Sequence, residues 1–129
     1  NNMYILTVED SFASAHQLRG YSGKCENLHG HNWKVVVSVR GENLNDTGLL
    51  IDFGDLKKIL RLILADLDHR NLNEHPGFLS DNPSSENIAA YIARRFQDEL
   101  IPLPGTVSLE SVTVWESDTS RCTYTPSPR

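Results

Sequence analysis

The sequence predicts an α+β fold in which two strands, two helices and two further strands follow one another along the chain. Both ends of the chain alternate apolar and polar side chains with the two-residue period of half-buried strands. Two central segments instead repeat apolar residues at helical spacing. The length of 129 residues suits one core. We therefore expect a single domain over residues 1–129, with an antiparallel sheet and both helices on one face.

The first two strands are predicted at residues 3–16 and 29–40, separated by a loop without apolar periodicity at residues 17–28. Their apolar positions of shared parity are Tyr4, Leu6, Val8, Phe12, Trp33, Val35, Val37 and Val39. Residues 41–48 are rich in Asn, Asp and Gly, which is typical of a turn. This turn predicts that residues 49–53 pair back as a short strand.

The two helices are predicted from their apolar stripes and from the residues that precede them. Asp52 or Asp55 can cap the first helix, and Ser84 can cap the second. The stripes are Leu56, Ile59, Leu60, Ile63, Leu64 and Leu67 in the first helix and Ile88, Ala89, Ile92, Phe96 and Leu100 in the second. Prolines at positions 102 and 104 end the second helix.

The last two strands are predicted at residues 107–116 and 121–125, joined by a Ser-Asp-Thr-Ser turn. Because each helix has only one apolar stripe, one face of the sheet must be solvated or covered by another subunit. Tyr4, Trp33 and Trp115 are candidates for that face. At the chain ends, we interpret residues 1–2 as a remnant of expression cloning and residues 126–129 as a flexible tail.

Composition and charge exclude several functional classes. Hydrophobic residues make up 39% of the chain, which is too apolar for intrinsic disorder. The net charge of -5 has the wrong sign for bulk binding to nucleic acid. No apolar run approaches the roughly 20 residues of a membrane span, and no signal sequence precedes Met3. We therefore expect a cytoplasmic protein that binds neither nucleic acid nor membrane, with Cys25 and Cys122 as free thiols.

Three histidines are candidate metal ligands. His29 and His31 lie two residues apart at the start of the second strand, so their side chains leave the same face. His16 ends the first strand on the parity of its apolar positions, and a neighbouring strand can bring it beside the pair. Three imidazoles with one open position are typical of catalytic zinc. The alternative is that these are separate surface or capped histidines.

Two further groups are candidates for proton transfer. Cys25 lies four residues before His29 and beside Lys24, where a cation and a metal ion would favour the thiolate. It can act as a nucleophile or base, close the metal site as a fourth ligand, or be an inert half-buried thiol. Asp68 can hold the tautomer of His69 for acid–base chemistry. The alternative is that this pair only decorates the end of the first helix.

Glu116 ends the apolar third strand and is a candidate ligand for a planar ring. A carboxylate accepts two parallel hydrogen bonds from the NH and amino edge of a guanine-like or pterin ring. The alternative is an ordinary charge at a strand end. Arg19, Lys24 and Arg70 are the cationic candidates for binding phosphate, although such side chains are usually only solvated.

Taken together, these residues resemble the 6-pyruvoyl-tetrahydropterin synthase family. The motifs that carry the resemblance run in order over nearly the whole chain, and no one of them would be sufficient alone. They are Ser14-Ala15-His16, Cys25-x-x-x-His29-Gly30-His31, Leu67-Asp68-His69-x-x-Leu72-Asn73, Pro83-Ser84-Ser85-Glu86-Asn87 and Trp115-Glu116-Ser117. The resemblance implies a tunnelling fold (T-fold), whose trimers form continuous barrels and stack into homohexamers.

The resemblance also implies roles for individual residues. The implied roles are zinc binding for His16, His29 and His31, proton transfer for Cys25, Asp68 and His69, and pterin binding for Glu116, Ser84, Ser85 and Glu86. Thr is the more usual residue at one of the two serine positions, so the match there is incomplete. Family members act on 7,8-dihydroneopterin triphosphate, with zinc as a Lewis acid.

The spacing within the motif indicates one branch of this family. Three residues between Cys25 and His29 are similar to the bacterial 6-carboxy-5,6,7,8-tetrahydropterin synthases of queuosine and 7-deazapurine biosynthesis. These lyases release acetaldehyde and triphosphate, whereas animal-type pyruvoyl synthases carry a longer spacer. Two alternatives remain within the family: a pyruvoyl-type synthase, and an enzyme that releases 6-hydroxymethyldihydropterin. From another class, the alternative is a zinc-stabilised binding module in which Cys25 completes the coordination.

Overall fold

Four antiparallel strands and two helices make up the described part of the chain, which is residues 2–20 and 26–127 of a computed structural model. The strands are β1 (Tyr4–His16), β2 (His29–Gly41), β3 (Ser108–Ser117) and β4 (Ser120–Tyr124). The helices are α1 (Phe53–Leu67) and α2 (Ser85–Leu100), with short 3-10 turns at Leu72–Glu74 and Pro76–Phe78 between them. The predicted α+β class and the order ββααββ are confirmed.

The strands form one sheet in the order β1-β2-β3-β4, so each is paired with its neighbour in sequence. Helix α1 packs against β1, and α2 packs against β3 and β4. The hydrophobic core lies between this helical layer and one face of the sheet, and its largest fully buried side chains include Trp33, Phe78 and Phe96. β1 and β4 are the two edge strands.

Both helices begin where the sequence predicts. The carboxylate of Asp52, rather than that of Asp55, accepts a hydrogen bond from the Gly54 amide at the start of α1. The Ser84 hydroxyl accepts from the Asn87 amide at the start of α2. The predicted apolar stripes are buried in both helices. Within the described residues, no helix combines the length and the hydropathy that a membrane crossing requires.

The predicted short strand at residues 49–53 is wrong. Asn45 closes a tight turn, in which its side chain accepts from the Leu49 amide and its own amide donates to the Leu49 carbonyl. Leu50 and Ile51 are buried without strand pairing. The physical reason is that β2 already pairs with β1 on one side and with β3 on the other, so it has no free edge for a returning strand.

The expectation that Trp33 lies on the outer face of the sheet is also wrong. Trp33 is fully buried and shares the core-facing parity of Val35 and Val37. Trp115 alternates with buried Val114 and is half-buried on the outer face, where the Arg121 guanidinium lies 4.6 Å from its ring centroid. The two tryptophans thus lie on opposite faces of the sheet. Which face each occupies follows from its position in the alternation of its strand and not from the size of its side chain.

Candidate metal centre and adjoining cleft

The pairing register of β1 and β2 brings the three candidate histidines together. His16 is directly opposite His29, and His31 is opposite Ser14. Directly paired residues of an antiparallel sheet project to the same face. One ring nitrogen from each histidine lies within 4.8 Å of the other two, so the group can hold a metal ion.

Two of these imidazoles have their tautomers set by backbone carbonyls. His16 Nδ1 lies 2.7 Å from the Pro83 carbonyl oxygen, and His29 Nδ1 lies 2.8 Å from that of Asn27. Because a carbonyl oxygen can only accept, each Nδ1 carries the proton and donates it. In the neutral form of each ring the Nε2 atom then carries the lone pair, and this is the tautomer that ligates a metal through Nε2.

The nitrogens that face the centre of the cluster have no partner among the described residues. Nε2 of His16 and Nε2 of His31 are both buried and without a hydrogen bond. Buried polar atoms normally have a partner, so these two nitrogens are suited to bind an ion. Burial lowers the pKa of His31; the charge of Glu116 opposes this, and His16 and His29 add to the lowering. The unpartnered nitrogens and their convergence together fit a divalent metal ion.

Trp33 forms the floor of this cluster. Its ring packs edge-on against those of His16 and His31, with centroids 4.9 and 5.1 Å away. Its indole Nε1 donates to the Ser14 carbonyl at 3.2 Å, which satisfies the one polar atom of the side chain. The predicted alternation of β2 could have identified this role, because Trp33 continues the row of His29 and His31.

Glu116 lies beside the histidines because of a bulge near the end of β3. The pairing register shifts between Trp115 and Ser117, so Glu116 has no direct partner on β4. Its Oε1 lies 3.9 Å from His31 Nε2, and its Oε2 lies 4.0 Å from His16 Nε2. The Ser85 hydroxyl donates to Oε2 at 3.3 Å.

Two cavities meet at Glu116 and form one open cleft. The smaller cavity, of about 120 Å³, lies beside the histidines and includes Glu26 and Leu18 in its lining. The larger cavity, of about 300 Å³, extends over β4 and includes Arg121 and Cys122. Both cavities share Ser85, Glu86 and Glu116. Ser84 lines the smaller cavity, and its hydroxyl is engaged as the cap of α2.

Sequence reasoning did not predict several polar residues that line this cleft. Glu26 contributes a carboxylate whose Oε1 accepts from the Leu18 amide at 3.0 Å. Arg121 and Cys122 form the far wall of the cleft, directly after the predicted β3–β4 turn. Burial, together with the charge of Glu86, raises the pKa of Cys122, so its thiol stays protonated at neutral pH. Cys122 makes no disulfide within the described residues.

Asp68 and His69 lie together but outside this cleft. His69 Nδ1 donates to Asp68 Oδ2 at 2.7 Å, and its side chain is 82% exposed. The Ala13 amide donates to Asp68 Oδ1, which is the main reason that the pKa of Asp68 is lowered; the bond from His69 adds to this. His69 has a φ of 54°, in the left-handed region. Among the described residues that line the two cavities, neither member of the pair is present.

The cationic candidates for phosphate differ in their contacts. The Arg19 guanidinium donates to the carbonyl oxygens of Phe78, Leu79 and Asp81, so it is engaged within the chain. Arg70 pairs with Asp66, four residues earlier on α1. Lys24 and the candidate catalytic Cys25 lie outside the described residues.

Comparison with known proteins gives a consistent family. The family described as "6-pyruvoyl tetrahydropterin synthase" matches residues 5–127. The 6-carboxy-5,6,7,8-tetrahydropterin synthase of Synechocystis is 39% identical over 127 residues, which cover 95% of this chain and 93% of that protein. The dihydroneopterin monophosphate aldolase of Pyrococcus furiosus is 39% identical over 108 residues, covering 84% of this chain and 85% of the aldolase.

A solved structure is similar over almost the full length. The 6-pyruvoyl tetrahydropterin synthase of Caenorhabditis elegans aligns with a TM-score of 0.83 at 32% identity, covering 98% of this chain and 97% of that one. This likeness confirms the predicted T-fold. Sequence and structure agree on the same group of enzymes, and the chain is therefore an enzyme of the 6-pyruvoyl tetrahydropterin synthase family.

Proposed function

We propose that this enzyme converts 7,8-dihydroneopterin triphosphate to 6-carboxy-5,6,7,8-tetrahydropterin, as a zinc-dependent cytoplasmic lyase of queuosine and 7-deazapurine biosynthesis. The observation that carries the proposal is the convergence of three imidazole nitrogens at one end of a cleft whose centre holds Glu116. The substrate has a planar ring and a hydroxylated side chain. The cavity beside the histidines suits the hydroxylated side chain, and the cavity over β4 suits the planar ring.

His16, His29 and His31 would hold the zinc ion. When bound, zinc supplies Lewis-acid chemistry that stabilises negative charge developing on oxygens of the substrate side chain. The carbonyls of Pro83 and Asn27 accept from Nδ1 of His16 and His29, so the neutral rings present Nε2 to the ion without a change of tautomer. Trp33 covers the inner side of the cluster and excludes water from it.

Glu116 would anchor the pterin ring. Its two carboxylate oxygens can accept from the ring NH and amino groups in parallel, and the hydroxyl of Ser85 orients the carboxylate. Ser84 and Glu86 line the same part of the cleft and would contact the ring edge. Because the 300 Å³ cavity continues from Glu116 over β4, it provides room for the bicyclic ring.

We assign proton transfer to Cys25 and to the Asp68–His69 pair. The hydrogen bond from His69 to Asp68 leaves Nε2 of the imidazole to take or give a proton. Since His69 is exposed and outside the cleft of its own chain, we propose that it serves the cleft of a neighbouring subunit in a homohexamer of two trimers. The edge strands β1 and β4 support such assembly, because open strand edges can pair with another chain.

The choice of product rests on the short spacer between Cys25 and His29 and on the similarity to the Synechocystis enzyme. In this reaction one carbon of the side chain stays on the ring as a carboxylate, and the other two leave as acetaldehyde. Equal identity to the Pyrococcus aldolase makes a 6-hydroxymethyldihydropterin product the second candidate. A non-catalytic zinc module is set aside because the family is enzymatic.

The deciding experiment is incubation of the zinc-loaded protein with 7,8-dihydroneopterin triphosphate. We expect mass spectrometry to detect 6-carboxytetrahydropterin, with acetaldehyde and triphosphate formed in equal amounts. Parallel incubation with the monophosphate tests the aldolase alternative, which predicts 6-hydroxymethyldihydropterin. A pyruvoyl product without acetaldehyde, or no turnover of either substrate, would refute the proposed reaction.

A further inference from the structure

The segment that extends β1 beyond His16 is held by side chains rather than by another strand. The Gln17 amide donates to Asn73 Oδ1 at 2.9 Å, and its carbonyl accepts from Asn73 Nδ2 at 2.8 Å. Arg19 makes the same two bonds with the side chain of Asn82, both at 2.9 Å. Each asparagine therefore supplies one donor and one acceptor, as the backbone of a paired strand would.

The two asparagines differ in their connection to the histidine cluster. Asn82 directly precedes Pro83, whose carbonyl accepts the hydrogen bond from His16 Nδ1. The Asn82 carbonyl accepts from Asn87 Nδ2 at 2.8 Å, and Ser84 caps the helix that Asn87 belongs to. Residues 82–84 are therefore tied to the extension of β1 on one side and to α2 on the other. Asn73 has no such connection to Pro83.

The guanidinium of Arg19 reinforces the attachment at Asn82. Its Nε donates to Asn82 Oδ1 at 3.2 Å, and Nη1 donates to the Leu79 carbonyl at 3.1 Å. Nη2 donates to the carbonyls of Phe78 and Asp81, at 2.5 and 2.8 Å. One half-buried side chain thus holds three carbonyls of the loop that leads into Pro83.

We infer that Arg19 and Asn82 are positioning residues of the metal centre. They hold the Pro83 carbonyl against His16 Nδ1, and that hydrogen bond aims His16 Nε2 at the other two imidazoles. Partners of this kind orient metal-binding imidazoles, and their loss typically weakens metal affinity about 10- to 100-fold. The inference rests on the proposed metal role of His16, His29 and His31.

The test compares Asn82→Ala with Asn73→Ala, because both remove the same pair of hydrogen bonds to the backbone of the β1 extension. Zinc affinity is measured by competition with a chelator, in the absence of substrate. We expect Asn82→Ala to weaken zinc binding about tenfold or more, and Asn73→Ala to weaken it less than about threefold. Asn82→Ala also removes the bond from Arg19 Nε, so the melting temperature of the metal-free protein should fall somewhat more in this variant than in Asn73→Ala. Arg19→Lys, which keeps the charge and loses the planar fork, should weaken zinc binding by an intermediate factor.

A second readout separates positioning from general loss of stability. Cobalt substituted for zinc reports ligand geometry in its visible absorption spectrum, which should change in Asn82→Ala and stay unchanged in Asn73→Ala. Equal zinc affinities and identical cobalt spectra in the two variants would overturn the inference. If Asn82→Ala does not fold, Asn82→Asp and Asn73→Asp, which each keep the acceptor and remove the donor, give the matched comparison. Failure of the unaltered protein to bind zinc would instead refute the proposed metal centre itself.

Discussion

The histidine cluster and the Asp68–His69 pair both depend on the last residues of β1, yet they differ in how complete they are within one chain. The cluster draws His16 from β1 and its other two members from β2, and a single chain supplies its floor and hydrogen-bond partners. The pair is attached to β1 through Ala13 and presents its imidazole to solvent. The histidine cluster is thus assembled within one chain, with His16 buried and His29 exposed, whereas the Asp68–His69 pair lies exposed and apart from it.

The backbone supports this distinction. The φ of 54° at His69 costs roughly 1–2 kcal/mol for a residue other than glycine. Two hydrogen bonds hold this conformation. The Ala13 amide donates to the Asp68 carboxylate, and the His69 amide donates to the Ala13 carbonyl at 2.6 Å. Strained residues held in this way are concentrated at functional sites. The residue that carries this strain presents its imidazole to solvent.

The largest expected effect comes from removing one member of the cluster. His31→Ala leaves two imidazoles, which is too few for a site of this type, so zinc and activity should be lost together. We expect less than about one tenth of the zinc content of the unaltered protein, measured by mass spectrometry after dialysis, and at least about a thousandfold loss of kcat/KM. Stoichiometric zinc in this variant would mean that His31 is not a ligand.

The second largest effect is expected from a substitution in the Asp68–His69 pair. His69→Asn removes the imidazole and keeps a residue that tolerates positive φ, so fold and zinc content should be unchanged. We expect kcat to fall about 10²- to 10⁴-fold, which is the usual contribution of a positioned acid or base. Loss of zinc in His69→Asn would contradict the separation of the two regions.

Mixing the two variants shows whether the pair serves a neighbouring chain. His31→Ala subunits have an intact pair and His69→Asn subunits have an intact cluster. If a cleft takes its imidazole from another subunit, oligomers reassembled from an equal mixture should regain about a quarter of the activity. About half of the subunits then have an intact cluster, and about half of the neighbours of these subunits have an intact pair. No recovery in demonstrably mixed oligomers would place both groups in the service of the same chain.

The sequence predicted the face on which the histidines lie better than it predicted what surrounds them. Strand parity placed His16, His29 and His31 on one side, and an antiparallel register then aligned them. The Pro83 carbonyl could not be found in this way, because it lies 67 residues from His16 and the contact depends on the helix-to-helix loop. A backbone carbonyl also leaves no signature in residue type.

The failed strand at residues 49–53 and the misplaced Trp33 have different physical causes. The strand required a free edge of β2, and sheet order, which is a long-range property, removes it. Trp33 was misplaced by considering its size rather than its parity, although β2 alternates regularly. Local periodicity was therefore reliable in this chain, and the errors came from tertiary pairing and from overriding the pattern.

A moderate effect is expected at Glu116, where the cluster meets the ring side of the cleft. Glu116→Gln keeps the shape and replaces one acceptor oxygen by an amino group, so it cannot accept two parallel hydrogen bonds. KM for the pterin should rise about tenfold, with kcat changed less than about threefold, because anchoring orients the ring without taking part in proton transfer. The matched control is Glu110→Gln. Glu110 lies on the same strand as Glu116, and this change breaks only its surface ion pair with Arg40. Full loss of turnover at saturating substrate, with unchanged affinity, would be incompatible with an anchoring role.

The smallest effect concerns the end of α1 that carries Asp68. Two residues earlier, Asp66 Oδ2 accepts from Nε2 of buried His75 at 2.7 Å and from the Tyr91 hydroxyl at 3.1 Å. His75 Nδ1 accepts from the Gly77 amide, so its proton is on Nε2. Burial raises the pKa of Asp66, but the hydrogen bonds from His75 and Tyr91 outweigh it and hold the pKa below its ordinary value.

A lowered native pKa means that the ionised carboxylate stabilises the folded state, fully above about pH 4 and progressively less as the pH falls through the native value. In metal-free protein, Asp66→Asn should therefore lower the free energy of unfolding by about 1 kcal/mol at pH 7, and this difference should shrink below about pH 4. Urea unfolding between pH 3 and pH 7 measures it, with Asp98→Asn on the exposed side of α2 as the control. A difference that stays constant over this range would show that Asp66 acts through packing and not through its charge.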